Sequence, residues 1–296
     1  MIVNHSDKTE RKAGWSKAIP QARDRMQSEL LVGAIGMVLV VKAVLEIVHL
    51  HEGGTMPRWF WVACGVSFAF ALVVWLLKSA TAPAAALGGV ICLHVLLRQQ
   101  FGGTWQETAM PALLALFLLT FAATRFGRKR KEAAGLAEGR QGRRAAQVLA
   151  NLGAAGLLAA GGTAGSFVSS AMLAACVAAL AEATADTVSS EMGQALGGRT
   201  LMISTGRAVP PGTDGGVSAA GTAFGAMAAM VVVGVSPLVD SPVAGMAAFG
   251  AACAGLIFDS VLGATLERRG WLGNDLVNFA STVLAAGLTW SVVALL

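Results

Sequence analysis

The chain of 296 residues is 55% hydrophobic and 13% charged, with a formal net charge of +5 and a mean hydropathy of +0.65. A soluble domain carries roughly a quarter of its residues charged, so this composition excludes a water-soluble globular enzyme. Long uninterrupted runs of Ala, Leu, Val and Gly also exclude a barrel, whose strands alternate apolar and polar residues. The expected fold is all-α, a polytopic transmembrane helix bundle.

In chain order, residues 1–29 read as a basic cytoplasmic segment carrying Lys8, Arg11, Lys12, Lys17, Arg23 and Arg25. The apolar run that follows is too long for a cleaved signal peptide, and export is not indicated. Four spans are expected at 30–50, 58–77, 82–98 and 109–124, forming an N-terminal segment 30–124. A basic loop, 125–147, leads into a catalytic bundle over 148–296, with spans at 148–163, 166–184, 217–235, 242–263 and 276–296. Motif loops are expected at 185–216 and 264–275, and "GGTAGS" is expected to break the pair of helices over 148–184. The count is about nine, within a range of roughly seven to ten, because several runs are short or Gly-rich.

Lys and Arg mark cytoplasmic loops. The basic N-terminus and the basic loop are separated by an even number of spans, so both face the cytoplasm and the C-terminus lies outside. The loops containing Arg268 and Arg269, and residues 185–216, fall on the same cytoplasmic side. Loop orientation accounts for the basic charge, and no nucleic-acid partner is expected. Cys64, Cys92, Cys176 and Cys253 stand singly in apolar runs as small buried hydrophobes. His5, His49, His51 and His94 have no metal-ligand spacing, so zinc is excluded. Lys42 and Glu46, one helical turn apart, read as a structural pair.

The chemistry concentrates in the second half. "AEATADTVSSEMG" places Glu182 and Asp186 on one helix face, extended by Ser189 and Ser190, with Glu191 opening the next turn. Glu182 follows a long charge-free run, and ionisable residues at such depth line a cavity or pathway. Next, "ISTGRAVPPGTDGGVSAAG" joins Pro210 and Pro211 to a turn containing Gly212, Gly215 and Gly216, with Ser218 placed to cap the following helix. A Gly-rich turn entering a helix N-terminus presents N–H groups to an anion. Carboxylates for Mg2+ and backbone donors for phosphate are the parts that phosphoryl transfer requires. Asp259 lies within an apolar helix, with Glu267 two turns later. Asn274, Asp275 and Asn278 open the last span, while Gln147 and Asn151 enter an earlier one.

The ordered blocks "GRRAAQVLAN", "ATADTVSSEMG", "ISTGRAVPPGTDGGVSAAGT", "DSVLGATLE" and "NDLVNF" resemble those of the family of plant phytyl-phosphate kinase and animal transmembrane protein 19, the DUF92-type integral membrane proteins. The resemblance covers roughly residues 128–296. It implies an enzyme of the membrane that transfers a phosphoryl group from CTP, or another nucleotide, to an isoprenyl monophosphate. The phytyl- or geranylgeranyl-phosphate-like acceptor becomes the diphosphate. Motif by motif, the resemblance points to Asp186, Ser190 and Glu191; to Thr205; and to Gly212, Thr213, Asp214, Gly215 and Gly216 with Ser218. It also points to Asp259, to Asp275 with Asn278, and to Arg143, Gln147 and Asn151. Glu267 departs from the pattern, where an uncharged Gln is expected.

The mechanism this suggests has Asp186, Glu191 and Asp259 holding Mg2+ on the nucleotide. The turn 212–216 and Ser218 cradle phosphate, and Arg143 or Arg144 with Arg207 neutralises charge. Glu182 is a further polar site residue. The lipid tail is expected among the Gly-rich helices, and the protein is placed in a bacterial inner membrane with room for a homodimer. Two alternatives stay open: a cytidylyltransferase making a CDP-lipid from the same parts, and a transporter with an intramembrane acidic ion site. The second lacks the inverted repeats expected of it.

Overall fold

The computed structural model describes residues 19–54, 56–97, 105–137, 142–161 and 170–295. Residues 162–166 of the "GGTAGS" break, Arg140 and the basic residues up to Lys17 lie outside the described residues. Nine apolar helices are present among those described: α1 (Gln21–Glu52), α2 (Arg58–Leu76), α3 (Ala82–Leu97), α4 (Met110–Arg125), α6 (Ala145–Ala160), α7 (Ser170–Leu196), α8 (Ala219–Gly234), α9 (Pro242–Glu267) and α10 (Asn274–Val293). A short α5 (Arg128–Ala133) follows α4 within the basic loop.

Five of these, α1, α2, α7, α9 and α10, are long and apolar enough to cross a membrane; α3, α4, α6 and α8 are shorter apolar helices. Their starts follow ordinary rules. Proline occupies the first turn of α4 and α9, where its missing N–H costs nothing, and Ser218 caps α8 by accepting from the Gly221 N–H at 3.1 Å.

The bundle is organised around α7, which packs against α4, α6, α8, α9 and α10. Its Ala-rich sequence is buried almost all round, because small side chains let neighbouring backbones approach closely. The closest approach is to α8: a Cβ on Gly221 would lie 2.6 Å from the Ser189 carbonyl, and one on Gly225 would lie 2.7 Å from that of Ala185. The α8 N-terminus is thereby held beside the acidic stretch of α7. The outer helices α1 and α2 present Met37, Val41, Leu45, Trp61, Val62 and Phe68 outward, as lipid-facing surfaces do.

Two features depart from the expected architecture. The loop expected from 185 begins only after Leu196, so the carboxylates lie within a helix. That loop also folds into a small antiparallel sheet, so the all-α expectation misses a strand element. Its strands β1 (Thr200–Met202), β2 (Ala208–Val209) and β3 (Gly216–Ser218) are ordered β2-β1-β3, with Leu201 opposite both Ala208 and Val217. The sheet sits where α7 ends and α8 begins, capping the same end of the bundle as the starts of α6 and α10.

Candidate active site

Five helices and the sheet enclose a polar cleft of about 530 Å3. Asp186, Ser190 and Glu191 reach it from α7, and Asp259 and Glu267 from α9. Gln147 and Asn151 line it from α6, Asp275 and Asn278 from α10, and Thr213 to Ser218 from the glycine turn and β3. All five sequence blocks therefore contribute residues to one site although more than a hundred residues separate the first from the last.

Its charge is strongly acidic. Asp259 has Asp186, Glu182 and Glu267 as interacting carboxylates, and Arg143 is an opposing cation acting on Asp186. The Arg143 guanidinium donates to the Thr187 hydroxyl at 3.4 Å. Its backbone is pinned in turn: the Arg143 N–H donates to the Ser79 carbonyl (2.9 Å), and the Thr81 N–H donates to that of Arg143 (3.0 Å). Gly142, at φ +80°, permits this, since a Cβ there would meet the Lys78 carbonyl at 2.6 Å.

One turn deeper, Glu182 is buried beside Gly255, whose missing Cβ leaves room for its side chain. Neither Glu182 carboxyl oxygen, nor Asp259 Oδ1, has a hydrogen-bond partner among the described residues. The hydroxyl of neighbouring Ser281 donates to the Asn278 carbonyl instead (2.9 Å). Unmatched carboxylate oxygens are costly in a dry interior, a cost that a proton or a bound cation offsets. All its donors are oxygens, the set that hard divalent cations take.

The expected metal trio is not what the chain assembles. Asp186 and Asp259 are neighbours, but the Glu191 carboxylate receives the ammonium of Lys131, which is itself buried and also donates to the Ala123 and Thr124 carbonyls. Among the described residues, no group of three His, Cys, Asp or Glu is placed to hold a metal ion. Glu182 does not line the cleft. Arg144, Thr205 and Arg207 are exposed and stay outside it. Arg144 starts α6, its N–H donating to Gln147 Oε1 (2.8 Å). Thr205 accepts from the Arg207 N–H (3.4 Å) in the turn joining β1 to β2.

The glycine turn also differs in detail. Gly215, at φ +75°, lies against the backbone of Ala264 and Gly263 in the π-helical turn Gly263–Glu267 that ends α9, leaving no space for a Cβ. Its closest approach is thus to protein. The Gly216 N–H is taken by the Thr213 carbonyl (2.8 Å). The remaining walls are cross-linked: Asn274 donates to Asn278 (3.4 Å), Asn278 to Asn151 (3.1 Å), and the Ser28 hydroxyl to Asp275 (2.6 Å).

Sequence reasoning missed Lys131 and Ser28 and set Glu267 aside. Lys131 gives no signal within "RKRKE". Ser28 lies 247 residues from its partner. Glu267 is buried against the carboxylate cluster despite departing from the family pattern.

Comparison with known proteins agrees with the motif resemblance. The chain is 37% identical over 198 residues to the uncharacterized membrane protein sll0875 of Synechocystis, covering 62% of this chain and 72% of that one. It is 32% identical over 209 residues to Protein VTE6, chloroplastic, of Arabidopsis thaliana, covering 65% of this chain and 60% of the plant protein. A third relative, the uncharacterized membrane protein MJ0933 of Methanocaldococcus jannaschii, is 33% identical over 110 residues, covering 36% of this chain and 46% of its own. No solved structure matches. Residues 65–286 match the family described as Integral membrane protein DUF92, and the chain belongs to that family.

Proposed function

We propose that the protein is a nucleotide-dependent kinase that converts an isoprenyl monophosphate to the diphosphate at the cytoplasmic face of a bacterial inner membrane. All nine apolar helices would span, with the N-terminus inside. The observation that carries this reading is the convergence of Asp186, Asp259, Arg143 and the α8 N-terminus on one cleft at the polar end of an apolar bundle. The motif resemblance to the family of plant phytyl-phosphate kinase favours the same chemistry.

The residues fit Mg2+. That ion usually takes one or two protein carboxylates and completes its shell with water and substrate phosphates, so Asp186 and Asp259 suffice without a third ligand. When bound, it supplies charge neutralisation on the nucleotide phosphates. Glu182 and Glu267 add negative potential behind the pair, while Lys131 holds Glu191 and the α7 end in place. Arg143, a cation acting on Asp186, offsets repulsion between two approaching anions. Ser218 and Thr222 bring the start of α8 to the cleft wall, where a helix N-terminus favours the transferring phosphate, with Ser218 fixing the helix start.

The acceptor phosphate is a nucleophile at neutral pH, so no general base is required. An oxygen of the lipid phosphate bonds to the terminal phosphorus of CTP, the bond from that phosphorus to the bridging oxygen breaks, and CDP leaves. Positioning and preorganised charge supply the rate. The experiment is a ligand-shift measurement: CTP with Mg2+ raises the wild-type melting temperature by mass action, and Asp186→Asn abolishes the rise while the protein stays monodisperse in detergent. An undiminished rise in Asp186→Asn removes the carboxylate pair from nucleotide binding.

A further inference from the structure

A second cavity, of about 1200 Å3, opens beside the polar cleft, between α2, α3, α4 and α6. Its body is apolar, walled by Phe70, Leu113, Leu116, Phe117, Val148 and Leu152, with Gly88 leaving the α3 wall open. Ligand sites are usually about 300–1,000 Å3, so it has room for a long hydrocarbon chain. Three of the four walls, α2, α3 and α4, belong to the N-terminal spans that sequence reading left without a function.

Its rim is cationic. Lys78, Arg125, Arg128, Lys129, Arg130 and Arg143 line it at the end where α2 and α4 finish and α3 and α6 begin. Several of these are already engaged. Arg128 pairs with Glu132 (3.0 Å), Arg130 donates to the Leu196 carbonyl (3.1 Å), and Arg125 donates to that of Leu77 (3.0 Å) while stacking on Phe121 (4.0 Å). Among the described residues, Lys78 and Lys129 have no recorded partner. Lys78 is held at φ +54°, a conformation that non-glycine residues seldom adopt. Arg143 lines both this cavity and the polar cleft.

An apolar chamber with a cationic mouth fits an amphiphile with one hydrocarbon chain and an anionic head. Sharing Arg143 with the acidic cleft places that head where it can meet a nucleotide. A neutral lipid would leave the rim charges unmatched, and a free anion would leave the chamber unfilled. We propose that this cavity is the acceptor seat: it takes the hydrocarbon chain of a lipid monophosphate, whose phosphate lies between Arg143 and the lysines of the rim. The seat rests on the kinase reading for its role as acceptor site, but not for its ability to bind. It narrows the tail, which sequence reading put among the Gly-rich helices, to the space between α2, α3, α4 and α6.

The test is equilibrium binding of radiolabelled geranylgeranyl monophosphate to the purified full chain in detergent, without nucleotide or Mg2+. Saturable binding is expected. Unlabelled probe should compete with it, whereas inorganic phosphate or geranylgeraniol at the same concentration should not. Gly88→Leu fills the chamber from α3, where a Cβ meets only Phe70 at 3.9 Å. It should weaken binding by about tenfold or more, as misfit in an apolar pocket does, with an unchanged melting temperature. Should Gly88→Leu not fold, a photoreactive analogue with a diazirine at the tail end decides the matter in the wild type: labelling must fall on α4 or α6. Absence of saturable binding, full affinity in folded Gly88→Leu, or labelling confined to α8–α10 overturns the seat. Phosphoryl transfer present with a failed seat leaves the kinase reading standing. Binding that obeys these expectations without any phosphoryl transfer leaves the seat standing and removes the kinase.

Discussion

Lys131 and Glu191 form a buried ion pair that ties the basic loop to the end of α7. Two carbonyls at the end of α4 share the ammonium, Ala123 at 3.1 Å and Thr124 at 2.9 Å. Removing one partner of a buried pair strands the other, which costs about 3–5 kcal/mol, whereas an apolar pair of similar volume is often neutral. Lys131→Met and Glu191→Gln should each lower the unfolding temperature in detergent sharply, and Lys131→Met with Glu191→Leu should recover most of the loss. A double variant as unstable as the sum of the singles would assign Glu191 a different role.

Glu267 acts on Asp259 as a negative neighbour, and the proposed site gives it no bond to the metal. Glu267→Gln removes one negative neighbour of Asp259. It should therefore raise the Mg2+ concentration for half-maximal activity, by about tenfold, the scale at which groups behind a metal site act. The maximal rate should change little. A loss of maximal rate that Mg2+ does not restore would place Glu267 among the ligands.

Gly215 and Gly206 separate packing from conformation in the loop between α7 and α8. Both have positive φ, +75° and +68°, but a Cβ on Gly215 collides with the Ala264 backbone, and one on Gly206 meets nothing within 4 Å. Gly206→Ala should cost only the strain of the backbone, about 1 kcal/mol. Gly215→Ala should cost several times that, because the turn must lift off α9. Thermal unfolding of the two variants side by side checks the ranking.

Orientation follows from placing the cleft at the nucleotide side. In a background lacking Cys64, Cys92, Cys176 and Cys253, cysteines at Arg199 and Trp271 should react with an impermeant reagent only from the cytoplasm. Cysteines at Glu52 and Ser241 should react only from the other side; all four positions are exposed. Labelling of Arg199 from outside would separate the cleft from cytoplasmic nucleotide.

Much of this was legible because lipid-facing and core positions are both apolar, so each helix writes an unbroken run whichever way its faces point. Most of the nine helices accordingly start and stop close to the expected spans, while α1 begins at Gln21 rather than 30 and α7 runs to Leu196 rather than 184. The end of α7 was not legible: Asp186, Ser189 and Glu191 resemble a chain leaving the membrane, yet they face a cleft inside the protein. Strands of two or three residues, such as Ala208–Val209, carry no periodicity to detect. Motif residues converged where they line the cleft. Thr205 and Arg207 lie in the same block but turn at the tip of a hairpin, and block membership carries no information about which way a side chain points. The Ser28 to Asp275 bond and the Lys131 to Glu191 pair join distant segments, and only the folded chain brings them together.

The central claim is transfer of a terminal phosphoryl group to a lipid phosphate within the Asp186–Asp259 cleft. Purified protein should be incubated with Mg2+, geranylgeranyl monophosphate and CTP labelled either at the terminal or at the innermost phosphate, and the lipid product analysed for label. The account predicts lipid diphosphate carrying terminal label only, CDP as the second product, and a loss of about 100-fold or more in Asp186→Asn, the scale of removing one preorganised charge contact. Innermost label in the lipid with pyrophosphate released would contradict it, as would lipid diphosphate formed at the wild-type rate by Asp186→Asn.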